Sequence, residues 1–381
     1  MATTKEELNA LKEKIETLNE RLNELTDEEL EQVSDAWYWC LDDNDIVSTS
    51  MDMNRQMMES KLQLKAGYFD EFSCKTVKCR NNCCQKWIVG LDKEDYQRIM
   101  EADCSEELRY RLEIAFKIPR RMLSKNYRVF AMDKNGLCPL LSADGLCTLQ
   151  IECGQEMIPK ICRRFPRIRN EYANCDIYVG QTGCERVVEQ LFNTDKFELT
   201  NRNKLNEISE QDEKLSGLLD VLDILQDKAI PLERRIELIC GENSFADERK
   251  LFNISVLNMR TIFNEFYNTP QYSKDTLERY DCSQGYDNYL TDFSVFEKKY
   301  PEWRRYFENI LANHIVVMEY PYVDTELKPG DTRVGLKTIY MFMRMISAAN
   351  TRDAEGMAPL VDSLLRLFRL AEQPNFYRNV H

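Results

Sequence analysis

The sequence predicts a mainly α protein: an irregular cysteine-rich metal-binding domain with short elements, preceded by a helical N-terminal extension and followed by a helical C-terminal domain. Three observations predict it. Leucines recur at helical spacing near the start of the chain, eleven cysteines crowd into the 111 residues from Cys74 to Cys184, and helical periodicity dominates after residue 185. The expected divisions are 1–60, 61–190 and 191–381. At 381 residues and 43% hydrophobic content, the chain can bury a proper core and divide into two or three units.

In the first unit Leu8, Leu11, Ile15, Leu18, Leu22 and Leu25 follow 3, 4, 3, 4, 3 spacing, a short heptad pattern. So few heptads make only a marginal isolated coiled coil, so a helical hairpin on its own chain and a homodimer through residues 8–25 both stay open. Thr26 and Glu29 form a capping box opening a second helix, and Trp37, Tyr38 and Trp39 give it a bulky apolar face.

In the second unit, Gly, Pro and Asn punctuate short apolar runs such as Trp87-Ile-Val-Gly-Leu and Tyr127-Arg-Val-Phe-Ala-Met, so regular elements should be brief. In the third, Leu215, Leu218, Leu219, Leu222, Ile224 and Leu225, then Leu336 to Ile346 and Pro359 to Leu370, read as helices. Pro231, Pro270, Pro301 and Pro321 mark starts or breaks.

The charged amino terminus shows no secretory h-region, which leads to an expectation of a reducing cytoplasmic setting. There, clustered thiols read as metal ligands rather than disulfides, with ordinary buried thiols as the remaining possibility. Cys74, Cys79, Cys83, Cys84, Cys138, Cys147, Cys162 and Cys184 form an economical set of eight. They could fill two four-coordinate sites, or one iron-sulfur cluster and one structural zinc. Neighbouring side chains usually diverge, so one of Cys83 and Cys84 could serve a different site from the other. Spacing alone leaves the metal open.

Other templates fail. Histidine occurs only at 314 and 381, which nearly excludes a His-based triad, and His314 reads as a packed helix residue. Neither G-x-G-x-x-G nor G-x-x-x-x-G-K-[ST] occurs. Cys40, Cys104, Cys240 and Cys282 lie outside the clustered runs, have no neighbouring histidine and read as structural. No apolar stretch reaches the ~20 residues of a membrane span. A net charge of -14 argues against nucleic acid and suits either a cationic partner or simple solubility.

The runs Tyr68-Phe-Asp-Glu-Phe-Ser-Cys74, Cys79-Arg-Asn-Asn-Cys-Cys84 through Asp92, Leu137-Cys138-Pro139, Gly145-Leu-Cys147, Cys162-Arg-Arg-Phe-Pro-Arg167 and Cys184 resemble the flagellin lysine-N-methylase family. They also resemble the wider group of iron- or zinc-chelating cysteine-cluster proteins. The likeness is specific over roughly residues 64–190, weaker around Tyr306-Phe-Glu-Asn-Ile, and absent from 1–60. It implies methyl transfer from S-adenosylmethionine to flagellin lysines with a required iron-sulfur cluster, 4Fe-4S, zinc being the alternative or a second site. The ligands would come from the eight cysteines above. Cys153 and Cys175 fall where the family pattern has none, and the run Asn170-Glu-Tyr-Ala-Asn-Cys-Asp-Ile-Tyr departs from it. Arg163, Arg164 and Arg167 could grip the carboxylate of S-adenosylmethionine, or else offset thiolate charge and pair with surface acids.

Overall fold

The computed structural model describes residues 61–85, 89–119, 126–205, 212–241, 247–265, 271–323 and 329–372. The heptads, the capping box, the Trp37–Trp39 face, Cys40 and the expected homodimer segment lie outside the described residues.

The described chain is mainly helical with a few strands, as expected. A four-stranded sheet in the order β5-β6-β1-β7 joins β1 (Leu62–Ala66), β5 (Arg167–Glu171), β6 (Cys175–Gly180) and β7 (Leu199–Thr200). Strands β5 and β6 form an antiparallel hairpin pairing Ile168 with Val179. Strand β1 lies parallel to β6, Leu64 opposite Ile177, although more than a hundred residues separate them. The Cys175–Gly180 strand is buried at all but one position, which suits a strand covered on both faces.

A smaller antiparallel sheet, β2 (Gly90–Leu91), β4 (Arg128–Phe130) and β3 (Phe116–Lys117), uses the two short apolar runs read from the sequence. Around it stand α1 (Lys93–Met100), α2 (Glu106–Ala115), α3 (Thr148–Cys153) and α4 (Lys160–Arg164). Asp92 caps α1 by accepting from the Asp95 N–H, and Ser105 caps α2 by accepting from Leu108.

Helix α5 (Glu185–Asn193) begins the helical part. It is followed by α6 (Glu213–Gln226), α7 (Leu232–Cys240), α8 (Glu248–Glu265), α9 (Gln271–Tyr280), α10 (Gly285–Lys299), α11 (Trp303–Val317), α12 (Pro329–Thr351) and α13 (Ala358–Ala371). The leucines read as periodic become the buried stripe of α6, where Asp212 caps by accepting from Leu215. Pro231 stands immediately before α7 and Pro301 just before α11, as their fixed φ favours.

Two hydrophobic cores result. The small one holds Val89, Leu91, Ile99, Leu108, Leu112, Ala115, Phe130, Leu140, Leu149 and Ile158. The large one runs from the four-stranded sheet through α5 to α13, with Trp303, Phe307, Tyr340 and Phe368 among its fully buried side chains. Residue 190 therefore coincides with no gap in packing. Strands β1, β5 and β6 and helix α5 share the core of the C-terminal helices, because their apolar faces have nowhere else to bury.

Candidate metal centre

The cysteines meet where the small core adjoins the first turn of α5. The loop after β1 carries Cys74 and, past a 3₁₀ turn at Thr76–Lys78, Cys79, Cys83 and Cys84. The Cys138 N–H donates to the Cys84 carbonyl at 2.9 Å, and Gln85 bridges Leu137, so this loop lies alongside the segment carrying Cys138. Between Cys138 and Cys147 the chain turns back on itself. Leu141 bridges Cys147, and Gly145 takes a φ of +79°, a left-handed conformation that glycine tolerates without strain. Cys147 then stands at the N-terminus of α3, Cys162 within α4, and Cys184 at the N-terminus of α5.

Every described cysteine is a free thiol. Cys162 lies in the electrostatic field of Cys83, Cys138 and Cys147, and Cys84 in that of Cys83, Cys138 and Cys147. Cys184 feels Cys83 and Cys74, while Cys79 feels Cys184 and Cys74. The eight cysteines singled out from the sequence thus fall into two adjoining sets. Cys84, Cys138, Cys147 and Cys162 form one, Cys74, Cys79 and Cys184 the other, and Cys83 faces both.

Burial pushes the Cys138 and Cys184 thiols up to about 11 and Cys79 up to about 12, and raises Cys147 and Cys162 as well. A hydrogen bond from Cys84, helped by Arg369, holds Cys83 below the ordinary thiol value, and the same bond pushes Cys84 up. Backbone N–H groups are aimed at several sulfurs: Leu140 at Cys138, Leu149 and Gln150 at Cys147, Arg186 and Val187 at Cys184. Such donors favour the thiolate, the form a metal needs.

The donor set therefore suits a soft thiophilic metal or an iron-sulfur cluster in chemistry. In distance it is open: among the described residues, no three His, Cys, Asp or Glu side chains stand together closely enough to hold one metal ion. The thiols are gathered rather than locked into a coordination cage.

What holds them was not read from the sequence. The fully buried Glu185 accepts from Lys75 Nζ at 2.6 Å and from the Asn81 N–H at 2.9 Å, and Arg80 lies 3.5 Å away. Helix α13 closes the other side. Arg369 donates to the carbonyls of Asn81 at 2.8 Å, Asn82 at 3.2 Å and Gly183 at 3.0 Å, tying the stretch before Cys83 to the turn before Cys184. Arg366 donates to the Asn81 side chain, and Glu372 accepts from the Thr182 and Gly183 N–H groups at 2.9 and 3.3 Å. The one local signal was Arg366 and Arg369 three residues apart on a helix, neighbours on one face.

Of the three arginines, two follow Cys162 on α4 and the third opens β5. Arg163 pairs with the exposed Glu156 at 2.6 Å, and Arg164 is exposed. Arg167 lies on β5 with its guanidinium 5.0 Å from the Phe72 ring centre. His314 is fully buried in α11 against Phe368, a packed helix residue as its context implied, with Nδ1 4.0 Å from Glu372 Oε1. Cys175 and Cys240 are buried in the large core and Cys282 is exposed.

Fold and site together define a helical protein with a small thiol-rich lobe clamped by α5 and α13. Comparison with known proteins narrows the class. The chain is 25% identical over 126 residues to the lysine-N-methylases of Salmonella typhimurium and Salmonella choleraesuis, and equally to the flagellar biosynthetic protein FliU of Salmonella muenchen. The match covers 33% of this chain, 31% of each lysine-N-methylase and 74% of FliU. The chain thus spans about a third of the length of the lysine-N-methylases it matches. The resemblance seen in the cysteine motifs is therefore matched by distant homologues bearing those names. No family model and no solved structure matches. No described helix is long and apolar enough to cross a membrane.

Proposed function

We propose that this protein is a lysine N-methyltransferase acting on flagellin, with S-adenosylmethionine as methyl donor and an iron-sulfur cluster, or zinc in its place, held by the gathered thiols. The observation that carries the reading is the likeness to proteins named lysine-N-methylase and FliU. The two thiol sets support its cofactor. Cys84, Cys138, Cys147 and Cys162 would hold one centre, and Cys74, Cys79, Cys83 and Cys184 would brace it or hold a second. The bound centre would supply a cross-link between loops that bury little surface of their own.

In the reaction the sulfonium methyl passes to a neutral lysine amine. The new N–C bond forms as the S–C bond breaks, leaving S-adenosylhomocysteine and a released proton. A lysine in water ionises near about 10.4, so the acceptor must first give its proton to a base or to solvent, the latter helped by a dry pocket that disfavours the ammonium. The excess of acidic side chains, -14 overall, would draw a lysine-bearing partner by a field that salt weakens.

The test mixes the full chain with flagellin and methyl-labelled S-adenosylmethionine. Label on flagellin lysines is expected from the wild type, with metal and label both lost in Cys138→Ser and Cys162→Ser. Full metal with no label would favour a scaffold or a flagellin-binding adaptor. Label from metal-free protein would remove the cluster from the mechanism.

A further inference from the structure

Two cysteines outside both thiol sets lie on neighbouring segments of the small lobe, Cys153 within the electrostatic field of Cys104. Cys104 lies in the turn between α1 and α2, and Cys153 is the last residue of α3. The contacts on either side bring their backbones together. The Cys153 thiol donates to the Asp103 carbonyl at 3.6 Å, one peptide unit from Cys104, and the Ser105 N–H donates to the Glu152 carboxylate at 3.1 Å. Residues 103–105 therefore run against 152–153 with the two cysteines bracketed between matched contacts. Arg109 fixes the turn from behind by donating to the carbonyls of Met100 and Ala102. Both thiols are half-buried, both pack on the edge of the small core, and each is free.

We propose that Cys104 and Cys153 form a reversible disulfide, a redox modification site separate from the metal centre. The oxidant is a small disulfide of the glutathione class. A thiolate of the pair attacks it, displacing one glutathione thiolate and leaving a mixed disulfide. The second thiolate attacks the bound sulfur and expels the other glutathione. Two protein thiols lose two protons and two electrons, and one glutathione disulfide becomes two glutathiones. Because residues 103–105 and 152–153 are already in contact, the two cysteines meet the first condition for bridging, neighbouring backbones. It would fasten the α1–α2 turn to α3, whose opposite end is Cys147. Oxidation would thus stiffen the lobe that carries Cys138, Cys147 and Cys162. The inference does not depend on methyltransferase activity.

The experiment treats the full-length protein, as purified with whatever metal it carries, with oxidised glutathione. Remaining thiols are then alkylated and non-reduced peptides are mapped by mass spectrometry. The expected result is a cross-linked peptide pair containing Cys104 and Cys153, two hydrogens lighter than the sum, that dithiothreitol releases. The pair should be lost in Cys104→Ser and in Cys153→Ser, where the surviving thiol carries a glutathione adduct. Separate glutathione adducts on both cysteines of the wild type would overturn the proposal, as would a disulfide from either one to Cys138, Cys147 or Cys162, or both thiols remaining unreacted.

Discussion

The two cores of this protein are held together by different means. In the large core, aromatic rings pack on one another in a chain from Phe252 through Tyr289, Phe293 and Trp303 to Phe307 and Tyr340. It stabilises itself by burial between the four-stranded sheet and the helices from α5 to α13. The small core is a thin layer under strands of two or three residues and short helices. The cysteine loop beside it is fastened by Glu185 and Arg369, which belong to elements of the large one. A lobe that cannot bury enough apolar surface depends on polar clamps and on whatever its thiols bind.

The sharpest way to break this contrast is to open a cavity in each core. Phe307→Ala should cost about 3–5 kcal/mol and lower the midpoint of denaturant unfolding of the whole chain. Leu112→Ala in the small core should cost about 2–5 kcal/mol but act locally. Hydrogen exchange should rise across residues 89–162 while 285–365 keeps its protection. Equal loss in both regions would show one cooperative unit.

Next in size is Glu185. Burial opposes its ionisation, but Lys75, the Asn81 N–H and Arg80 outweigh burial and hold the carboxyl below its ordinary value of 4.5. A carboxylate of this kind adds stability above its unfolded value and loses it as pH falls through the folded one. Glu185→Gln should therefore destabilise by about 2–3 kcal/mol at neutral pH. The gap from wild type should narrow as pH drops below 4.5, read as the difference in thermal midpoint. A gap independent of pH would mean that shape, not charge, is what Glu185 provides.

Arg369→Met should cost about 1–3 kcal/mol by leaving the carbonyls of Asn81, Asn82 and Gly183 without their donor. Limited proteolysis should then cut faster within residues 74–85, and unchanged cleavage would remove Arg369 from the clamp. The smallest effect is expected at Arg163, whose partner Glu156 is 88% exposed. Arg163→Ala should change stability by no more than about 1 kcal/mol. Weakened binding of S-adenosylmethionine to this variant in calorimetry would place Arg163 at the cofactor, and unchanged binding would leave it a surface ion pair.

Much of the helical part was legible in the residues. The leucines of α6, the apolar stripes of α12 and α13 and the prolines before α7 and α11 are local signals, because a helix writes its buried face every three or four residues. The short strands β2 and β4 were legible as apolar runs between breakers. The hairpin of β5 and β6 passed unnoticed, since Arg167-Ile-Arg-Asn-Glu is mostly polar and shows no clean alternation.

The sequence by itself determined the element types, the crowding of eight thiols without histidine partners, and the acidic balance. Only the tertiary structure decided that β1 would run beside β6, that Cys84 would lie next to Cys138, and that Arg369 would reach back almost three hundred residues to the loop before Cys83. Periodicity and capping act over one or two turns of chain and can be read locally. Which distant segments meet depends on how all apolar faces are buried at once, and that balance is not written in any single stretch of residues.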